Sequence, residues 1–360
     1  MKQFLVSLVF LNVVSPLAAQ SAAPPVPPLE IESTSGFVDY IRFSTGGTDP
    51  DRLQTAVVRF EKGGTTVDLV GVVHLGDSGY YQNLNEFLKG YDKVLYEMVG
   101  GEFQPREDAS VSGGTPEEMA GVHSLQKLVK SFLGLEFQLD GIDYNATNFV
   151  HADVNWDEIN ALMTARNENL VTFITRAMVL AEKGDMAGLP SDEARITAGL
   201  KKLFSDLMAG DSASLKRTIA PLMSEAESFI SQWEGEDGTV LVSERNRVVM
   251  EKLAEIRGDH PGGKYAIFFG AGHMPDLEKR LLADGFTKGE SVWADAWTIP
   301  KGAVAADGST APAPSPADLL LKVLNENPEI ISTIQQLGTM LEELGGAVKS
   351  LTPPLPPPVK

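Results

Sequence analysis

Two copies of one short pattern hold the residues best suited to chemistry in this sequence. Segments 71–77 (GVVHLGD) and 270–276 (GAGHMPD) both read G-x-x-H-x-x-D, and each ends an apolar run typical of a buried strand. Ligands of open α/β sheets bind outside the carboxyl ends of the strands. The glycine before each histidine lets the backbone approach a neighbour or a ligand closely. We therefore expect His74 and His273 to share one site rather than to be two unrelated core histidines.

A carboxylate and an arginine are expected to complete this site. Glu97 interrupts the apolar segment 93–99, where a carboxylate is costly to bury unless it is paired or binds a cation. Two histidines and one carboxylate suit a divalent metal such as manganese, cobalt or zinc, which would activate a bound water. Arg245 is expected to stabilise an oxyanion or to orient a carboxylate. Glu97 or Glu244 is available as general base if it does not bind the metal.

For other polar residues near the two motifs, the sequence indicates a functional role less specifically. Asp77 and Asp276 are more typical of helix caps than of metal ligands. His151, in the segment NFVHAD, either lines the site or is a hydrogen-bonded core histidine. The sequence has no G-x-S-x-G, P-loop or H-E-x-x-H pattern, so serine hydrolase, nucleotide hydrolase and zincin functions lack support.

The sequence patterns around these residues predict an α/β fold with a central mixed sheet, one βαβ unit and a large helical insertion. Strands are expected at 55–60 and 66–73, joined by the hairpin turn EKGG. A helix over 78–90 and a strand over 93–99 follow, so strands 66–73 and 93–99 should be parallel and, if they are neighbours, bring Glu97 near His74. Two later strands are predicted at 265–269 and 292–299.

The middle of the chain, residues 115–257, is predicted to be mostly helical. Thr115-Pro116-Glu117-Glu118 combines an N-cap, a proline at the first helical position and a capping box. Apolar residues then recur at helical spacing. Further helices are expected over 156–183, 192–209, 214–232 and 240–257.

Composition limits the classes of function. The 360 residues carry a formal net charge of -19, which disfavours nucleic acid as a partner, and the absence of cysteine excludes thiolate chemistry. Residues 1–23 are expected to be a signal peptide that directs export to the periplasm or beyond, with no later transmembrane segment. A flexible lead-in (24–30), one domain (31–300), a linker (301–316) and a C-terminal helical segment with a polyproline tail (317–360) follow.

Five segments, taken in order, resemble the TraB/TIKI family: GVVHLGDSGYY, VLYEM, NFVHAD, ERNRVVM and GAGHM. The resemblance spans residues 55–299. It implies an α/β fold around a central sheet, with His74, Glu97, Arg245 and His273 at one site. Animal members of the family resemble metal-dependent peptidases that act on secreted signalling proteins, and bacterial members are linked to inactivating peptide pheromones.

Three hypotheses of function follow. The first is an exported, metal-dependent, peptidase-like hydrolase acting on a peptide or protein. The second is a non-catalytic protein that sequesters a peptide or small ligand in the same cleft. The third places the function in the C-terminal helices and the polyproline tail, which would bind a partner protein.

Overall fold

The computed structural model describes residues 30–32, 39–101, 133–168, 172, 202, 206, 211–234 and 238–301. The predicted signal peptide and C-terminal segment lie outside these residues. So do nearly all of the predicted lead-in and linker, the predicted helix start at Thr115 and most of the predicted helix over 192–209. No described helix is both long enough and apolar enough to cross a membrane.

The described elements are ten strands, six α-helices and two short turns of other helical types. The strands are β1 (Glu30–Glu32), β2 (Ile41–Ser44), β3 (Asp51–Lys62), β4 (Thr65–Val72), β5 (Leu75–Gly76), β6 (Lys93–Tyr96), β7 (Glu136–Phe137), β8 (Phe149–His151), β9 (Lys264–Gly270) and β10 (Thr287–Ile299). The helices are α1 (Ser78–Leu88), α2 (Gln138–Gly141), α3 (Trp156–Ala165), α4 (Ser212–Glu234), α5 (Arg245–Asp259) and α6 (Met274–Ala283). A π turn (Val240–Glu244) precedes α5, and a 3-10 turn (Ala271–His273) precedes α6.

The main sheet is mixed, as the sequence predicts. Its order is β1-β10-β3-β4-β9-β6-β8, with β2 also paired to β3. The strands β4, β9, β6 and β8 run parallel to one another, whereas β1, β2, β3 and β10 pair antiparallel. The small sheet of β5 and β7 stands beside it. The chain is therefore an α/β protein with a parallel half and an antiparallel half.

The predicted hairpin is present between β3 and β4. Lys62 pairs with Thr65, so the turn itself is only Gly63-Gly64. Both glycines have positive φ, 56° and 83°, a conformation that a two-residue hairpin turn favours and that side chains oppose. The sequence signal was correct because this turn depends on local backbone conformation alone.

The predicted βαβ unit of β4, α1 and β6 is present, with one difference in position. The strands β4 and β6 are parallel, but β9 lies between them and pairs with both. The residues of β9 from Tyr265 to Phe269 are completely buried because the strand is central in the sheet and covered on both faces. A strand that arrives about 170 residues later along the chain thus separates two that are close in sequence.

The predicted helices of the middle segment are present where the structure describes them. The helix α3 begins with a capping box between Asn155 and Glu158 and ends at Ala165. Residue 172 is helical, and the rest of the predicted helix beyond residue 168 lies outside the described residues. The strand β8, over Phe149–His151, lies within the segment that the sequence predicts to be mostly helical. Three residues are too few to give a periodic pattern, and β8 owes its conformation to pairing with β6.

We expect one buried tryptophan of β10 to stabilise the fold more than the other. Trp297 donates its indole N–H to Leu75 O at 2.7 Å, whereas the buried Nε1 of Trp293 has no partner among the described residues. Trp297→Phe should lower the free energy of unfolding by about 1–3 kcal/mol more than Trp293→Phe, because it leaves a carbonyl unpaired. Urea unfolding of both variants tests this, and equal losses would contradict it.

Candidate functional site

The structure brings both histidines and Glu97 to one edge of the sheet. The strands β4 and β9 are neighbours, with Val72 opposite Gly270, so the two G-x-x-H motifs leave the sheet side by side. A methyl group placed on Gly270 would lie 3.3 Å from Glu97 Oε2, 3.8 Å from His74 Nε2 and 3.9 Å from His273 Cδ2. Three side chains that are distant in sequence therefore surround a single point, and only a glycine leaves that point open.

The backbone around His74 is held at three successive carbonyls. The carbonyl oxygens of residues 73, 74 and 75 each accept a hydrogen bond from another part of the chain. The donors are the Tyr81 hydroxyl, the Gln138 backbone N–H and the Trp297 indole N–H, at 2.8, 2.9 and 2.7 Å. These hydrogen bonds thus fix the backbone at His74, although its side chain is exposed.

Gln138 also determines which ring nitrogen of His74 donates a hydrogen bond to it. The pairing of β5 with β7 places Gln138 beside His74. Its Nε2 donates to the Tyr144 hydroxyl at 2.8 Å, so its Oε1 is free to accept from His74 Nδ1 at 2.8 Å. With the proton on Nδ1, the Nε2 of His74 presents a lone pair on the side of Gly270.

His273 is held in the same tautomer by a second amide. The Nδ2 of Asn246 donates to His273 O at 3.0 Å and to Asp276 Oδ2 at 2.8 Å. The oxygen of that amide therefore accepts from His273 Nδ1 at 2.7 Å. Because a guanidinium only donates, the contact of 3.2 Å from Arg245 Nη1 marks His273 Nε2 as an acceptor. Both imidazoles thus donate through Nδ1, and His273 Nε2 is an acceptor.

Arg245 stands at the centre of the buried part of the site. A guanidinium has five N–H donors, and each has an acceptor in this structure. Nε and Nη2 donate to Asp153 at 2.9 and 2.6 Å, and Nη2 also donates to Glu97 Oε1 at 2.6 Å. Nη1 faces His273 Nε2 and Leu241 O, both at 3.2 Å. In this arrangement Arg245 orients a carboxylate and a histidine, and it has no donor left for an oxyanion.

The π turn before α5 allows Arg245 to reach these partners. Glu234, at the end of α4, accepts from Thr239 N at 2.9 Å and from Ser243 N at 3.1 Å, and it holds the turn closed against α4. The turn leaves Leu241 O pointing at Arg245. Single π turns inside helical segments are frequent at functional sites, and this one places the first residue of α5 in the cleft.

Asp153 is a site residue that the sequence analysis did not single out. Its side chain is completely buried against Arg245. Its remaining hydrogen bonds come from the backbone N–H groups of Met98, at 3.0 Å, and Val154, at 2.8 Å. Asp153 follows β8 as Glu97 follows β6, so a carboxylate directly after an apolar strand is the signal that would have identified it. The partner amides Gln138 and Asn246 were also missed, and no local pattern marks them.

Glu97 is ionised at neutral pH. Burial by itself would raise its pKa, but Arg245 and the backbone N–H of Gly270 hold the pKa well below its usual value, and a protonated His273 would lower it further. The Gly270 N–H donates to Glu97 Oε2 at 2.7 Å. Glu97 and Asp153 carry two negative charges against the single positive charge of Arg245. These three groups therefore leave a surplus of one negative charge, which favours a cation.

A cleft of about 360 Å³ opens over these residues. Its polar wall is formed by His74, Glu97, Arg245 and His273. The rest of its lining is apolar side chains and the backbone around Gly270 and Gly272. This volume lies within the range of about 300–1,000 Å³ that is usual for small-ligand pockets.

The other predicted residues lie outside this wall. His151 binds Met98 O through Nε2 at 2.7 Å and packs edge-on against Tyr96, as a structural histidine does. Glu244 pairs with Arg166 and Arg247, at 3.1 Å each.

The two aspartates that were expected to cap helices have other partners. Asp77 occupies the N-cap position of α1, but its side chain accepts from Lys216 Nζ at 3.1 Å and from Thr298 N at 2.7 Å instead. Asp276 lies in the first turn of α6 and binds Asn246 and Arg280, at 2.8 and 2.6 Å. Asp77 thus has the predicted N-cap position without a capping hydrogen bond from its side chain, and Asp276 is not at the cap, because tertiary partners compete for the same carboxylate oxygens.

The donor chemistry of the site fits a divalent cation, although its arrangement is not that of a formed metal site. Each histidine directs Nε2 inward and donates Nδ1–H to an amide oxygen, the kind of second hydrogen bond that metal-binding histidines make. No three His, Asp or Glu side chains converge at metal-binding spacing in the part of the chain that the structure describes. To bind a cation there, His273 Nε2 must exchange its contact with Arg245 Nη1 for the metal.

Comparisons with protein-family models, with curated proteins and with solved structures give no match for this chain. The resemblance to the TraB/TIKI family therefore stays a prediction from the five segments.

We expect Asp153 to be essential for the stability of the site. Asp153→Asn replaces one carboxylate oxygen by an N–H donor that faces other donors, and it removes a charge from Arg245. Breaking a buried ion pair in this way should lower the free energy of unfolding by about 3–5 kcal/mol. The exposed Asp157, four residues later, is the matched control, and Asp157→Asn should change that energy by less than about 0.5 kcal/mol. Denaturant unfolding compares the two, and similar losses would show that Asp153 does not hold the site.

Proposed function

We propose that this chain is an exported, metal-dependent hydrolase with a peptide or protein substrate, in which His74, Glu97 and His273 hold a divalent cation. One observation carries the proposal: two imidazoles and an ionised carboxylate surround a single point in a cleft. Imidazole nitrogen and carboxylate oxygen are the ligands that catalytic zinc and similar metals take while keeping positions open for water and substrate.

The protein residues would each have a defined task. Gln138 and Asn246 keep the histidine protons on Nδ1, so that both Nε2 atoms stay available as ligands. Arg245 keeps Glu97 ionised and fixes its orientation, and Asp153 holds Arg245 in place. The surplus negative charge attracts the cation into a cleft where it is partly desolvated.

The low pKa of Glu97 supports a role as ligand rather than as general base, because an effective base has a pKa near the working pH. Glu244 pairs with two arginines away from the polar wall and does not suit that role either. The cation, when bound, would supply the missing chemistry by acidifying a water molecule and polarising a substrate carbonyl.

A second candidate is a non-catalytic protein that sequesters a peptide or small ligand. It is favoured by the full set of acceptors around Arg245 and by the lack of a convergent set of three ligands among the described residues. A cleft of this kind can bind a ligand stoichiometrically without turning it over.

Metal binding tests the first candidate. The purified chain should bind one equivalent of Mn²⁺, Co²⁺ or Zn²⁺ in calorimetric titrations, and His74→Ala and His273→Ala should each weaken the affinity at least about tenfold. His260, which is exposed in a turn and bonds only through its backbone, is the matched control. Unchanged affinity in both site variants would refute the proposed ligand set.

Turnover separates the two candidates. A mixture of synthetic peptides, incubated with a small molar fraction of metal-loaded protein, should be cleaved many times per protein molecule, as measured by mass spectrometry. The His273→Ala variant should lose this activity, whereas His260→Ala should retain it. Capture of one peptide per protein molecule with no cleavage product would instead establish the sequestering function.

A further inference from the structure

We infer that the apolar part of the cleft is a subsite for one aliphatic side chain of a bound peptide, directly beside the histidines. The inference rests on the proposed function for the peptide nature of the ligand, and it names the residue type that the site selects. The side chains that form this subsite come from the edge of the sheet, from α4 and from the π turn: Ile41, Val72, Val73, Met223, Ile230 and Val242.

The helix α4 forms one wall of the subsite. Met223 and Ile230 are seven residues, two helical turns, apart, so both face the cleft, and both are only partly buried. Their apolar surface is therefore open to a ligand. Leu222, adjacent to Met223, points to solvent with 47% of its surface exposed. The face of α4 with Met223 and Ile230 thus lines the cleft, whereas Leu222 lies outside it.

Gly272 sets the distance between the subsite and the polar wall. A methyl group on this glycine would lie 2.6 Å from Ile230 Cδ1, so the absence of a side chain here lets Ile230 pack in its present conformation onto the turn that carries His273. Ile230 and His273 line the same cleft, so an aliphatic side chain bound against Ile230 would bring the peptide backbone attached to it into the cleft with the polar wall.

The composition of the lining determines which side chains fit. All its charged groups belong to the polar wall, and the remaining side chains are apolar. A charged or amide side chain placed against Ile41, Met223 and Ile230 would lose its water without gaining a hydrogen bond, which is costly. An aliphatic side chain would gain free energy by leaving water. We therefore expect selection for leucine-like and against polar residues.

The methyl group of Met223 provides a direct test that needs neither metal nor catalysis. The chain, labelled with ¹³C in its methionine methyl groups, is titrated with N-acetyl-leucinamide and with N-acetyl-asparaginamide, and Met223→Leu assigns the signal. The leucine compound should shift the Met223 signal at a concentration about tenfold lower than the asparagine compound does. The signal of Met250, which is not part of the cleft lining, is the internal control. Equal effects of the two compounds, or no effect of either, would overturn the inference.

A pair of variants on the same helix shows whether α4 forms one wall of the apolar subsite. Ile230→Asn should remove the tenfold preference for the leucine compound, whereas Leu222→Asn, on the exposed side, should leave it unchanged. A preference that survives Ile230→Asn would place the aliphatic group elsewhere and overturn the inference.

The outcomes separate this inference from the proposed function. If the preference for leucine is present but no metal binds, the subsite stands and the hydrolase proposal fails. If metal binds and peptides are cleaved without regard to aliphatic residues, the proposed function stands and the subsite inference fails.

Discussion

The buried guanidinium of Arg245 is the interaction on which the rest of the site depends. It joins Asp153, after β8, to Glu97, after β6, and to His273, after β9. Without it, two carboxylates would face each other in a partly desolvated space, where like charges repel strongly. One arginine thus allows three parallel strands to end in polar residues at the same edge. The three charged groups leave an excess of one negative charge, which is consistent with the cation that we propose.

The two histidines are prepared in the same way by unrelated parts of the chain. An amide oxygen accepts the Nδ1 proton of each ring, from Gln138 at the start of α2 and from Asn246 in α5. Their surroundings differ, because His74 is exposed and His273 is buried beside Arg245. The two rings therefore make the same hydrogen bond through Nδ1 in different surroundings, His74 on the solvent side and His273 in contact with Arg245.

The position of β9 explains how such distant residues meet. The crossover from β4 through α1 to β6 leaves one place in the sheet vacant, and β9 fills it. Its carboxyl end therefore lies between the ends of β4 and β6, and Gly270 occupies the middle of the site. A side chain at this position would contact Glu97 and His74. The path of the chain through the sheet, rather than any local sequence preference, places the open point of the cleft there.

Local patterns in the sequence determined the hairpin, the βαβ unit, the buried strands and the placement of both G-x-x-H motifs at strand ends, because these features follow from backbone conformation and apolar periodicity within short segments. Only the tertiary structure decided that β9 separates β4 from β6, that Asp153 partners Arg245, and that the side chains of Asp77 and Asp276 bind cationic and amide groups instead of the N–H groups of a helix start. A polar side chain satisfies its hydrogen bonds with whichever partners the fold brings near, and those partners come from segments far away in the chain.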